Sequence, residues 1–98
     1  MSEEEVKAIV SAKIKELGLS SKYKVTFMNT RRLLGQCIKS KKEIRISRIH
    51  MKNDDPKEVK DTILHELAHA KCRKRGHNKY WKAWCLKIGA KPERLAWF

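Results

Sequence analysis

Asp55-Pro56-Lys57-Glu58 opens the most clearly marked helix in this chain. An N-cap aspartate, a proline at the first helical position and a glutamate in the capping-box place satisfy orphan amides and preset the first turn. Val59, Ile63, Leu67 and Ala70 follow at helical spacing, an apolar stripe that has to face a core, and Gly76 supplies the expected stop. Within that helix stand His65, Glu66 and His69. Residues four apart share one helix face, so both imidazoles can reach a single ion. Glu66, one residue on from His65, can point at a water in the open coordination place. Zinc lowers the pKa of such a water toward neutrality, and a glutamate so placed takes its proton as it attacks a carbonyl. A bare H-E-x-x-H match carries little weight. This one lies deep in a capped helix, follows strand-like segments and precedes further ligand candidates.

Zinc needs a third protein ligand, and four residues compete for the place. His77 ranks first: it follows Gly76, where the chain can turn back toward the ion. Cys72 shares the helix face but sits about 10 Å along the axis from His65 at 1.5 Å per residue. Glu93 imitates a downstream glutamate ligand but lies in a polar tail beside Pro92, and His50 precedes the helix with no spacing that requires it. The long metzincin pattern is not met, because Cys72 and Arg75 stand where it needs glycine and histidine.

The rest of the chain reads as an α+β domain, residues 1–98 forming one unit. Ser2-Glu3-Glu4-Glu5 is a capping box, and Val6, Ile9, Val10, Ile14 and Leu17 continue an amphipathic helix that Gly18 ends. Tyr23, Val25 and Phe27 alternate with polar residues, Leu33 to Ile38 is a second strand with Gly35 marking a bulge or close approach, and Ile44 and Ile46 alternate with Arg45 and Ser47. Three short strands joined by tight turns imply a small, mainly antiparallel sheet. After the central helix, Asn78 caps a C-terminal helix with Trp81, Trp84, Cys85 and Ile88 on its core face and Gly89 at its end.

Charge adds a partner class. The chain has 24 Lys+Arg against 11 Asp+Glu, a net +13, which favours polyanions and nucleic acid above all. A lysine-rich solvated surface is the plainer account, although such surfaces usually balance lysine with glutamate. No apolar run is long enough for a membrane span, and the acidic Met1–Glu5 is unlike a secretion signal. Cys37, Cys72 and Cys85 are odd in number and widely spaced, as free thiols in a reducing cytoplasm would be.

The stretch Thr62 to Ala70, a basic run and then Gly76-His77-Asn78-Lys79-Tyr80-Trp81 resemble the SprT-like metallopeptidase family. Its members carry H-E-x-x-H-A followed by G-H-x-x-x-W or G-H-x-x-x-F. Gly35-Gln36-Cys37, the Glu43–Ser47 segment and Ile88 to Pro92 are similar to further elements of that family, so the likeness runs roughly from Leu33 to Leu95. It implies a minimal zincin fold with substrate along an edge strand, His65, His69 and His77 as Zn2+ ligands and Glu66 as general base. Spartan-like members degrade proteins crosslinked to DNA, so the resemblance also implies a protein substrate near nucleic acid. The usual G-H-G is here Gly76-His77-Asn78. A looser likeness is to minigluzincins, which C-terminal segments can hold latent; here Leu95 to Phe98 either closes the core or fills the cleft. Tyr80, His50 and Arg94 are the candidates for stabilising an oxyanion. The rival expectation is a basic nucleic-acid-binding module whose zinc is structural, with Cys72 as fourth ligand.

Overall fold

The computed structural model describes residues 1–72 and 78–92. Helix α1 (Glu3–Glu16) begins with the expected capping box: the Glu5 amide donates to Ser2 Oγ and the Ser2 amide to Glu5 Oε1. It buries Val6, Val10 and Ile14, and Gly18 takes the left-handed conformation that ends it, with φ 67°. Strands β1 (Lys24–Met28), β2 (Gly35–Ile38) and β3 (Glu43–Ser47) form one sheet in the order β1-β3-β2.

The sheet is mixed. β2 and β3 form the antiparallel pair that their short connection demands, but β1 lies parallel to β3. The 29–34 segment carries the chain across rather than folding it back as a hairpin, which leaves β3 in the centre. Register places Val25, Phe27, Cys37 and Gly35 beside Ile44 and Ile46 on one face, and those two isoleucines are fully buried. The opposite face is polar: the Thr26 hydroxyl donates to Glu43 Oε1 at 2.6 Å, and Arg45 Nε lies 3.2 Å from the same oxygen.

After β3 the chain forms a short helix, α2 (Arg48–Asn53), for which the apolar spacing gives no signal. Ser47 caps it, accepting from the His50 amide. Helix α3 (Pro56–Lys71) starts as its caps dictate, with Asp55 accepting from the Lys57 amide. It ends at Cys72, not at Gly76, which lies outside the described residues. Cys72 is extended (φ −77°, ψ 128°), so the ladder stops there. The Lys39 ammonium donates to the Cys72 carbonyl, and the Lys71 ammonium reaches the Leu17 carbonyl at 2.9 Å. These cations meet oxygens left over at helix ends, where positive charge is favoured. Helix α4 (Lys79–Ile88) is capped by Asn78 and ended by Gly89 at φ 90°. Among the described residues no helix is long and apolar enough to cross a membrane.

Candidate metal centre

Helix α3 lies against β2 and β3, and its approach to β2 is unusually close. A Cβ on Gly35 would stand 2.9 Å from Thr62 Cγ2, 3.2 Å from the Arg45 carbonyl and 3.2 Å from Glu66 Cγ. Glycine is therefore required by space rather than by backbone angle. The same stretch of α3 carries His65, Glu66 and His69, all buried.

The two imidazoles share a support. His65 and His69 both stack on Trp81 of α4, with centroid separations of 5.3 and 5.2 Å and interplanar angles of 26° and 21°. Trp81 is fully buried, and its indole N–H donates to the His65 carbonyl at 3.3 Å. The sequence marks this tryptophan only as core; its added role is to align both rings. A second contribution absent from the motif is Asp61, one turn before His65. His65 Nδ1 lies 2.8 Å from the Asp61 carbonyl and 3.2 Å from its Oδ2. With the ring proton on Nδ1, this acceptor leaves Nε2 as the nitrogen to ligate a metal, the usual arrangement behind a metal-ligating histidine.

Nε2 faces the carbonyl of Lys91. Gly89 reverses the chain after α4 and brings Ala90 to Pro92 back across α3, and the Lys91 amide donates to Asp61 Oδ1 at 2.9 Å. A metal at Nε2 would therefore have to displace the Lys91 carbonyl.

Glu66 is wholly buried, and neither carboxylate oxygen has a hydrogen-bond partner among the described residues. Burial drives its pKa well above the ordinary carboxylate value. An unpaired buried carboxyl costs stability and marks a functional position more often than a structural one. The two aligned imidazoles and the orphaned carboxyl together fit a metal with water beside it. Among the described residues, no three His, Cys, Asp or Glu side chains converge as a metal cluster; His77, first-ranked as third ligand, lies outside them.

The other sequence candidates fall as follows. His50 is buried between Asp54 Oδ2, 2.5 Å from its Nδ1, and Thr62 Oγ1, 2.9 Å from its Nε2, where it ties α2 to α3. It lines a cleft of about 380 Å³ together with Leu34, Asp61, Thr62 and Lys91, beside the histidine pair. Cys72 is buried and neighbours Cys85. Tyr80 lies on the exposed side of α4. Glu93, Arg94 and Leu95 to Phe98 are outside the described residues.

A short mixed sheet, a helix carrying H-E-x-x-H beneath its edge strand and a following helix that buttresses the histidines define a zincin-like metallopeptidase fold. The pattern of the SprT-like family matches residues 4–96, and the chain belongs to that family. The fold is similar to that of the metallopeptidase zymogen abylysin of Pyrococcus abyssi: TM-score 0.71, 19% identity, covering 85% of this chain and 78% of that one. It is likewise similar to the zymogen jannalysin of Methanocaldococcus jannaschii: TM-score 0.72, 20% identity, covering 84% and 79%. No curated protein sequence matches the chain.

Proposed function

We propose that this protein is a zinc-dependent endopeptidase, with His65, His69 and His77 holding the metal and Glu66 as general base. The observation that carries the reading is Glu66: a buried carboxyl left without a partner beside two imidazoles held on one tryptophan. Zinc bound there supplies Lewis-acid polarisation of the scissile carbonyl and acidifies water. The chain's own residues supply the rest. Trp81 and Asp61 set the ring planes, the close packing at Gly35 brings the edge strand over Glu66, and Glu66 takes a proton from water and returns it to the leaving amine. Burial suits that task, because a carboxyl with a raised pKa serves as acid as well as base. The rival closed structural site needs Cys72 as fourth ligand, and its place at the C-cap of α3, about 10 Å along the axis from His65 at 1.5 Å per residue, speaks against it.

The net charge of +13 supports a protein substrate held near nucleic acid, and three free thiols suit a reducing cytoplasm. The Lys91 carbonyl at His65 Nε2 supports a latent state, in which the segment after α4 competes with metal or substrate for the imidazole.

The test is cleavage of a DNA-binding protein, with and without DNA, by zinc-loaded wild type and Glu66→Gln. The variant should keep its zinc and lose activity by at least about 10². Undiminished cleavage by Glu66→Gln would sink the assignment. For latency, removing residues 91–98 should raise cleavage of an unfolded peptide, and no gain would dispose of the idea.

A further inference from the structure

His50 is a buried polar residue outside the metal centre, 3% exposed, and both of its ring nitrogens are engaged. Nδ1 lies 2.5 Å from Asp54 Oδ2, and Nε2 lies 2.9 Å from Thr62 Oγ1. Its backbone belongs to the corner at Ser47, whose hydroxyl accepts from the His50 amide. The same corner grips the segment that leads into β2. There the Ser47 amide donates to the Leu34 carbonyl at 3.0 Å, and the Ser47 hydroxyl to the Thr30 carbonyl at 2.7 Å. Helix α2 therefore holds the approach to the edge strand by its first turn and helix α3 by one imidazole.

What that imidazole fixes is the rotamer of Thr62. A helix leaves threonine two rotamers, since its hydroxyl can bond a carbonyl in the preceding turn. Here the hydroxyl donates to the Glu58 carbonyl at 3.1 Å and meets His50 Nε2 as well. With Oγ1 so placed, Cγ2 is turned to the sheet, 2.9 Å from where a Cβ on Gly35 would stand. Glu66 Cγ approaches the same position to 3.2 Å. The threonine methyl is thus the spacer between β2, an edge strand of the sheet, and the turn of α3 that leads to Glu66.

We propose that His50 is a positioning residue for the peptidase reaction: through the Thr62 hydroxyl it holds the threonine methyl against Gly35 and so sets the height of the edge strand over Glu66. The effect on turnover rests on the peptidase reading. The effect on strand spacing does not.

The experiment compares His50→Leu, His50→Gln and Asp54→Ala by two readouts. Leucine fills the space without a hydrogen bond, and glutamine can still reach the Thr62 hydroxyl. Asp54→Ala frees the ring from an exposed position and carries the comparison if His50→Leu does not fold. The first readout is the iodoacetamide labelling rate of each thiol in the folded protein, by mass spectrometry. Cys37 lies on β2 close to Glu66, whereas Cys85 is buried on α4. His50→Leu should label Cys37 about tenfold faster, a local opening made easier by one lost hydrogen bond, and leave Cys85 at its wild-type rate. Asp54→Ala should act in the same direction more weakly, and His50→Gln should stay near wild type. A strut that only stabilised the fold would open both thiols together.

The second readout is cleavage of labelled, unfolded casein by the zinc-loaded proteins. His50→Leu should lower kcat by about ten- to a hundredfold, the scale of a misplacement of about 1 Å, with KM little changed. His50→Gln should restore most of the loss. Equal acceleration of Cys37 and Cys85, an unaltered Cys37 in both His50→Leu and Asp54→Ala, a rise in KM at constant kcat, or no rescue by glutamine would each overturn the proposal. If wild type leaves casein intact while Cys37 responds as stated, the peptidase reading falls and the spacing role stands.

Discussion

Gly35 is where the sheet and the candidate site meet most tightly, and Gly35→Ala tests that junction. The new methyl carbon would stand 2.9 Å from Thr62 Cγ2, a separation that real Cβ atoms do not show, and 3.2 Å from both the Arg45 carbonyl and Glu66 Cγ. Neither the backbone of β3 nor a helix fixed by its buried stripe can give way freely, so the strand has to move. Overpacking of this kind costs about 1–3 kcal/mol. For a domain this size each kcal/mol lowers the melting temperature by about 4–8 °C. Thr62→Ser removes the clashing methyl and keeps the hydroxyl that lies 2.9 Å from His50 Nε2 and donates to the Glu58 carbonyl at 3.1 Å. Denaturant unfolding of wild type, both single variants and the double variant closes a thermodynamic cycle. The double variant should recover part of the loss, with a coupling of at least about 0.5 kcal/mol; the Arg45 carbonyl prevents full recovery. Peptidase activity should fall with Gly35→Ala and rise again in the double variant. A Gly35→Ala protein as stable as wild type, or a cycle with no coupling, would refute the claim that glycine is there to admit α3.

The thiols of Cys37 and Cys85 are both pushed up to about 12, chiefly by burial and further by the Glu66 carboxylate near Cys37 and by Asp61 near Cys85. Both should therefore resist iodoacetamide at pH 8 in the folded protein and react once it is unfolded, as read by mass spectrometry; fast labelling of the native chain would contradict their placement. The Glu43 carboxyl is held below its ordinary value, first by the Thr26 hydroxyl and then by Arg45. A depressed folded pKa adds stability above the unfolded value near 4.5 and loses it as pH falls through the folded value. Thr26→Val should then cost about 1 kcal/mol at neutral pH and flatten the acid limb below about pH 4.5, and an unchanged acid limb would argue against the hydrogen bond. Trp81→Phe keeps a ring but loses the indole N–H to the His65 carbonyl. It should lower zinc affinity about tenfold or more, as disturbed outer partners of metal ligands do, and unaltered zinc binding would remove Trp81 from the site.

Local sequence signals determined α1, the start of α3 and the whole of α4, because Ser2, Asp55 and Asn78 cap helices through contacts within three residues. The pairing of His65 with His69 was equally local, since a helix places residues four apart on one face whatever surrounds it. Strand alternation also sorted Val25, Phe27, Ile44 and Ile46 onto one side. Tertiary structure decided what depends on distant residues. Which strand lies in the centre, and that β1 runs parallel to it, follows from how the sheet meets α3 and not from the alternation of any strand. Short α2 is held by a Ser47 cap and by His50 reaching Thr62, contacts with no periodicity to betray them. The orphaned carboxyl of Glu66, the tryptophan beneath both histidines and the Lys91 carbonyl at His65 exist only once α4 has folded back on α3. A motif names the groups that can act; burial and the packing of separate elements set their protonation, their orientation and what stands in front of them.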